Sequence, residues 1–144
     1  MASLLGQFYT KIEGSQEDIA SEGIAYILNK SINARDSINA FLHNMIGINF
    51  KNISYITQNI GENKERPDIS GIDENGLEQI IIEAKFWASL TDNQPVEYLK
   101  RLNNDSVLLF VCPTLRKVSI GTEIESRLND ADIEFEKNEL YIKT

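Results

Sequence analysis

The sequence predicts an α/β domain in which a mixed central sheet is flanked by helices. Three observations carry that expectation: a helical repeat of apolar residues ahead of Gly47, an Asn75-Gly76 turn between two strand-like segments, and an unbroken apolar run, SVLLFVC, after a further helical stretch. A chain of 144 residues is long enough to bury a core without staples. It is read as one domain over residues 1–144, by itself or within a larger protein or complex.

The first helix is expected to start at Ser15, with Glu17 and Asp18 placed favourably against the macrodipole, and to run to about Lys30. Its main apolar stripe reads as Ala20, Ile24, Ile27, Leu28 and Ile32. Glu22 falls on a second side with Ile19 and Tyr26, and two readings stay open for it: an acid that reaches a metal, or a partly solvated helix glutamate. A second helix is expected from about Asn33 to Ile46, with Ile38, Phe41, Leu42, Met45 and Ile46 on one face and Gly47 as the stop. His43, the one histidine, sits off that face. With no second histidine or cysteine near it, no zinc site is expected there.

Residues 52–58, NISYITQ, are β-branched and aromatic enough for a strand. The link NIGENKER then leads into the stretch on which the functional reading rests, residues 66–85. Asn75-Gly76 is a strong signal for a two-residue type I′ loop, because both positions tolerate positive φ. Pairing Glu74 with Leu77 and continuing along both strands sets Asp68 opposite Glu83. Arg66 then lies beside Asp68 and Lys85 beside Glu83, while Ile69, Ile80, Ile82, Ala84 and Phe86 point to the other, core-facing side. Like charges directly opposite destabilise a sheet, so something positive belongs between them. Lys85 and Arg66 in a salt-bridge lattice would serve, and so would a divalent cation. Hard oxygen ligands on adjacent strands suit Mg²⁺ or Mn²⁺, which take few carboxylates and leave other positions to water and substrate phosphate.

After Lys85, TDNQPVEYLKRL reads as a helix opened by Thr91 or Asn93 and Pro95. Gln94 and Tyr98, four apart, share a face; Gln94 also fits the far end of a Thr91-x-x-Gln94 capping box. The apolar run at residues 106–112 predicts a central strand covered on both faces. Because it follows a helix, a right-handed crossover places it parallel to the strand of Glu83 and Lys85. A helix is expected between about Ile120 and Leu128, and short edge strands at residues 133–135 and 140–142.

Composition bounds the partners. Net charge is −8 and the isoelectric point is about 4.7, which counts against a broad basic surface for nucleic acid. Lys64, Arg66, Lys85, Lys100 and Arg101 flank the hairpin in sequence and suggest a small positive mouth on an acidic body. The single cysteine, Cys112, lies in an apolar run with no cation nearby, so it reads as a buried structural thiol in a reducing cytoplasm. Neither a leader pattern at MASLLGQFYTKIEG nor an apolar stretch of membrane-spanning length is present, so a soluble protein with no membrane partner is expected.

Pro67-Asp68 and Glu83-Ala84-Lys85 resemble the paired elements of the PD-(D/E)XK nuclease superfamily, and Gln94-Pro95-Val96-Glu97-Tyr98 resembles the Gln-x-x-x-Tyr motif of its exonuclease-type branch. The resemblance spans about residues 15–112 and implies a restriction-endonuclease-like αβββαβ core. It further implies that Asp68 and Glu83, with the Ala84 carbonyl and Glu22 from the first helix, bind Mg²⁺ or Mn²⁺. Lys85 would orient or help deprotonate the attacking water, and Gln94 and Tyr98 would position substrate or that water. The implied activity is metal-dependent hydrolysis of phosphodiester bonds, in DNA rather than RNA, by an effector in bacterial defence that works with a partner protein, a further domain or a second copy. Two rivals stand beside it: a nuclease-like fold without catalysis acting as a protein-interaction module, and a structural acidic domain whose charges are solvated.

Overall fold

A computed structural model describes residues 16–133. Within them the order is α1 (Gln16–Lys30), α2 (Ile32–Ile46), β1 (Ser54–Thr57), β2 (Ile69–Ile72), β3 (Glu78–Ala84), α3 (Val96–Arg101), β4 (Val107–Val111), a 3₁₀ turn (Thr114–Arg116) and α4 (Lys117–Asp130). The sheet is mixed, in the order β1-β2-β3-β4. The first three strands are antiparallel neighbours, and β4 lies parallel to β3, as the intervening helix requires.

Ser31 separates the two opening helices. Its extended backbone cannot continue α1, and its Oγ accepts the Ala34 N–H at 3.2 Å to cap α2. Gly47, at φ +76°, ends α2 with its N–H on the His43 carbonyl. Leu42 is fully buried, and Ile38 and Ile46 pack on the core, while Phe41 and Met45 stay partly exposed.

The face that α1 buries is not the expected one. Ser21, Ala25 and Leu28 go inward, whereas Ile24 and Ile27 are half exposed. The reason lies in the sheet edge. Asn29 brackets Tyr55 of β1, its Nδ2 donating to the Tyr55 carbonyl (2.6 Å) and its Oδ1 accepting the Tyr55 N–H (2.9 Å). Those are edge-strand groups that would otherwise be unpaired. Turning Asn29 to the edge brings small residues against the sheet in place of the larger isoleucines.

The hairpin closes differently from the expected type I′ turn. Gly76 N–H bonds the Asp73 carbonyl (3.0 Å) and Asp73 N–H bonds the Leu77 carbonyl (2.9 Å). Gly76 alone takes positive φ, +81°, so the loop is Glu74, Asn75 and Gly76, a three-residue turn with its glycine in the left-handed region. Asp73 Oδ1 accepts the Asn75 and Leu77 N–H groups, both at 2.9 Å. These bonds, Leu77 first, hold the Asp73 carboxyl below its ordinary range. The ladder then shifts by one residue between Gly71 and Ile72, since Gly71 pairs with Ile80 and Ile72 with Glu78. Gln79 is the extra residue of that bulge. Longer loop and bulge cancel, so Ile69 faces Ile82 and the next residues along are Asp68 and Glu83.

One face of the sheet packs on α1 and α2 through Phe50, Ile53, Tyr55, Ile69, Ile80 and Leu109, among others. Ile81 points the opposite way and is equally inaccessible, so β3 is covered on both sides. The expectation that only one side of the hairpin is core is thereby corrected. Gly71 is required by close packing: a Cβ there would lie 2.9 Å from Ile53 Cγ2, 3.0 Å from Ile80 Cβ and 3.3 Å from Tyr55 Cε1. Gly71→Ala is expected to cost roughly 1–3 kcal/mol through overpacking, measured as a lower urea midpoint with the slope unchanged. An unshifted midpoint would show that the neighbours move aside.

Among the described residues β4 is an edge strand, with Val107 and Leu109 buried but Leu108, Phe110 and Val111 only partly so; a doubly covered central position was expected. The α4 helix is longer than the predicted 120–128. The Ser15 helix start and the edge strands at 133–135 and 140–142 lie outside the described residues, apart from Ile133, whose N–H bonds the Leu128 carbonyl at 3.0 Å.

Candidate active site

Pro67, fully buried, lacks an N–H and so suits the entry to β2, with Asp68 just before the first paired residue. The neighbouring ends of β2 and β3 are laced together by these acids. Asp68 N–H donates to Glu83 Oε2 at 3.2 Å, and Ala84 N–H donates to Asp68 Oδ2 at 2.7 Å. The predicted opposition of Asp68 and Glu83 is therefore present, by way of the compensated turn and bulge.

Glu83 is 3% exposed and Lys85 4%, so the pair is a buried ion pair, Nζ to Oε1 at 2.8 Å. Four donors meet the Glu83 carboxylate. Lys85 Nζ (2.8 Å) and Gln94 Nε2 (2.7 Å) reach Oε1; Asp68 N–H and Tyr98 OH, each at 3.2 Å, reach Oε2. Four is about the acceptor capacity of a carboxylate, which is what makes so buried an acid tolerable.

Gln94 shares a face with Tyr98 as expected. Its Oε1 accepts the Thr91 N–H at 3.1 Å, but this closes a turn and not the expected capping box, because α3 starts only at Val96 with Pro95 at its N-cap and no side-chain cap bond. Its Nε2 serves Glu83 and also donates to Tyr98 OH at 3.0 Å. Burial, and then the Glu83 charge, push the Tyr98 phenol far above its ordinary pKa. It stays protonated and acts as a fixed donor. The supporting loop is held from α4: Arg127 guanidinium nitrogens bond the carbonyls of Thr91, Gln94 (2.7 Å) and Leu90 (3.4 Å).

Asp68 carries the electrostatic tension. Burial and then the Glu83 charge raise its pKa from the ordinary 3.8 to about 6, against the relief given by the Ala84 N–H and Lys85. The Glu17 charge adds to the rise.

Glu17 is the residue that sequence reasoning missed. Its Oε1 accepts the Phe86 N–H (3.0 Å) and the Trp87 N–H (3.2 Å), which brings the N-terminal turn of α1 beside Asp68. Glu22, the acid singled out on this helix, is exposed and accepts the Thr57 hydroxyl at the far edge strand. The usable signal was i, i+4 spacing from Glu17 to Ser21 and Ala25. It was hidden because small polar Ser21 did not mark a buried face.

The positive mouth is corrected too. Arg101 grips Glu78 through Nε (2.8 Å) and Nη2 (3.0 Å), Lys100 pairs with Glu97 at 2.7 Å, and Arg66 reaches Gln58 Oε1 at 3.5 Å instead of Asp68. Cys112 is half buried, and Arg116 and Lys117 act on its thiol after all, yet burial outweighs them and its pKa is raised. A nucleophilic thiolate is disfavoured.

Among the described residues no group of three or more His, Cys, Asp or Glu side chains is arranged to hold a metal ion. Asp68 is the carboxylate that suits a hard cation: burial first and the Glu83 charge second resist its ionisation, which Mg²⁺ or Mn²⁺ would relieve, whereas Glu83 would have to release one of its four donors to join it. Also among the described residues, no helix is long and apolar enough to cross a membrane. Neither a protein-family model, nor a curated protein, nor a solved structure matches the chain.

Proposed function

We propose that this chain is a Mg²⁺- or Mn²⁺-dependent nuclease of the PD-(D/E)XK kind, with a restriction-endonuclease-like αβββαβ core, hydrolysing phosphodiester bonds in DNA. The observation that carries the reading is the convergence on Glu83 of Asp68, Lys85, Gln94 and Tyr98, from three separate segments of chain. Asp68, Glu83 and the Ala84 carbonyl would hold the cation, with Glu17 in place of Glu22 as the acid from the first helix. When bound, the ion supplies Lewis acidity toward a phosphate oxygen and acidifies a water.

The chain's own residues supply the rest. The Lys85 ammonium, fixed by Glu83, offsets charge on a phosphate and orients the attacking water. Tyr98 and Gln94 hold the Glu83 carboxylate in one orientation, and to join the cation it would release one of its four donors. A net charge of −8 makes a partner protein, further domain or second copy the source of general DNA affinity. That dependence suits a cytoplasmic effector in bacterial defence, and the single cysteine agrees with a reducing compartment.

The saturated hydrogen bonding of Glu83 favours a second reading, a nuclease-like fold without catalysis that serves as a protein-interaction module. Incubation with linear and circular DNA in Mg²⁺ separates the two. Cleavage by the wild type, reduced about 10²–10⁴-fold in Lys85→Ala, is the expected result. Attack on linear DNA alone would favour the exonuclease branch. Absence of cleavage together with no stabilisation by Mn²⁺ would favour the interaction module.

A further inference from the structure

Trp87, two residues beyond Lys85, is 71% exposed, unusual for a side chain that is normally among the most buried in a protein. It does not sit on a loose loop. Glu17 Oε1 holds the N–H groups of Phe86 and Trp87. From the other side, Arg116 Nη1 donates to the Lys85 carbonyl (2.8 Å) and Nη2 to the Ala88 carbonyl (3.0 Å). The backbone of residues 85–88 is therefore pinned between α1 and the 3₁₀ turn. That turn carries Leu115, 99% exposed, next to the arginine that does the pinning. Arg116 supplies positive charge here, in a chain whose net charge is −8.

We propose that Trp87 is a stacking platform for unpaired nucleotide bases, and that the strand entering the Lys85 centre is single-stranded or frayed. An exposed indole on a pinned backbone, with the Phe86 ring 5.8 Å away and tilted by 46°, offers a π face to any base, and stacking of this kind is tolerant of sequence. Paired bases within a duplex already stack on one another and present no free face. The Arg116 guanidinium, whose described partners here are neutral carbonyls, favours a polyanion over an apolar protein surface. This assignment deepens the nuclease reading and rests on it for its biological use, but binding can be measured without cleavage.

Trp87 is the only tryptophan, so intrinsic indole fluorescence reports this position alone. The experiment titrates the whole chain, in EDTA and low salt, with an oligothymidylate of about 12 nucleotides, within the usual site size for such platforms. A blunt hairpin duplex serves as the comparison, and anisotropy of a labelled oligonucleotide gives affinity for variants that lack the indole. Saturable quenching by the single strand is expected, with weaker binding of the duplex. Trp87→Ala should lose about tenfold in affinity, and Trp87→Phe should keep most of it.

No quenching, equal quenching by the duplex, or unchanged affinity in Trp87→Ala would overturn the assignment. So would a change in emission that follows protein concentration alone, which would make the patch a contact between copies of the chain. Quenching without any DNA cleavage would sink the nuclease reading and leave the platform standing. Cleavage with wild-type rate and affinity in Trp87→Ala would do the reverse.

Discussion

Replacing Glu83 by alanine is expected to remove about 3–5 kcal/mol of folding stability, the usual consequence of breaking one half of a buried ion pair. Lys85 Nζ, the Gln94 amide and the Tyr98 hydroxyl all lose an acceptor at once, and each is buried. Against a typical total of roughly 5–15 kcal/mol, that is enough to leave part of the population unfolded at physiological temperature. The loss is checked by the urea midpoint, with the slope constant if the denatured state is unaffected. Glu83→Leu combined with Lys85→Met should recover the part due to the stranded ammonium and leave the part due to the Gln94 and Tyr98 donors. A cost below about 1 kcal/mol for Glu83→Ala, the level of a solvated pair, would show that this centre is open to water.

Asp68→Asn should act in the opposite direction when metal is absent. The carboxyl titrates from its ordinary 3.8 up to about 6 in the fold. Between those values the native state holds a proton that the unfolded chain has released, so this group makes stability fall as pH rises through the window, and the deficit then persists above about pH 6. Asparagine stays neutral and still offers an oxygen to the Ala84 N–H. Allowing for the partial exposure of Asp68, the variant should be more stable at pH 7 in EDTA by roughly 1–2 kcal/mol. The difference between the two proteins should vanish below about pH 4. With Mn²⁺ at about 100 times its dissociation constant, the wild type should gain about 2.7 kcal/mol, shrinking as pH drops through 6 because protons compete for Asp68. Asp68→Asn should gain nothing. A Mn²⁺ response retained by this variant would place the ion elsewhere.

Both expectations concern residues visible as a pattern in the chain, while their energies depend on enclosure that the pattern did not contain. Alternation along the hairpin and the Asn75-Gly76 signal put Asp68 across from Glu83. The turn that does so is one residue longer than expected, and the pairing survives because Gln79 bulges out of β3. Local rules erred twice and in compensating senses. The i, i+4 spacing of Gln94 and Tyr98 likewise placed on one face two side chains that both meet Glu83. Periodicity failed on α1, where Ile24 and Ile27 outweighed Ser21 and Ala25 in any hydrophobic count.

Read from residues alone, then, the chain specifies its helix stop at Gly47, the hairpin and its acidic pair, and the parallel return of β4. Those features depend on neighbours a few positions away or on the handedness of a crossover. Only the folded molecule decides that Glu83 and Lys85 lie in the interior, that Glu17 and not Glu22 approaches Asp68, and that Arg101 and Lys100 spend their charge on glutamates. Glu17 meets Trp87 across 70 positions of chain, and no repeat of 3.6 or 2 residues carries information over that distance. Contacts of this kind follow from which polar groups need partners once the sheet edge and the interior have been closed.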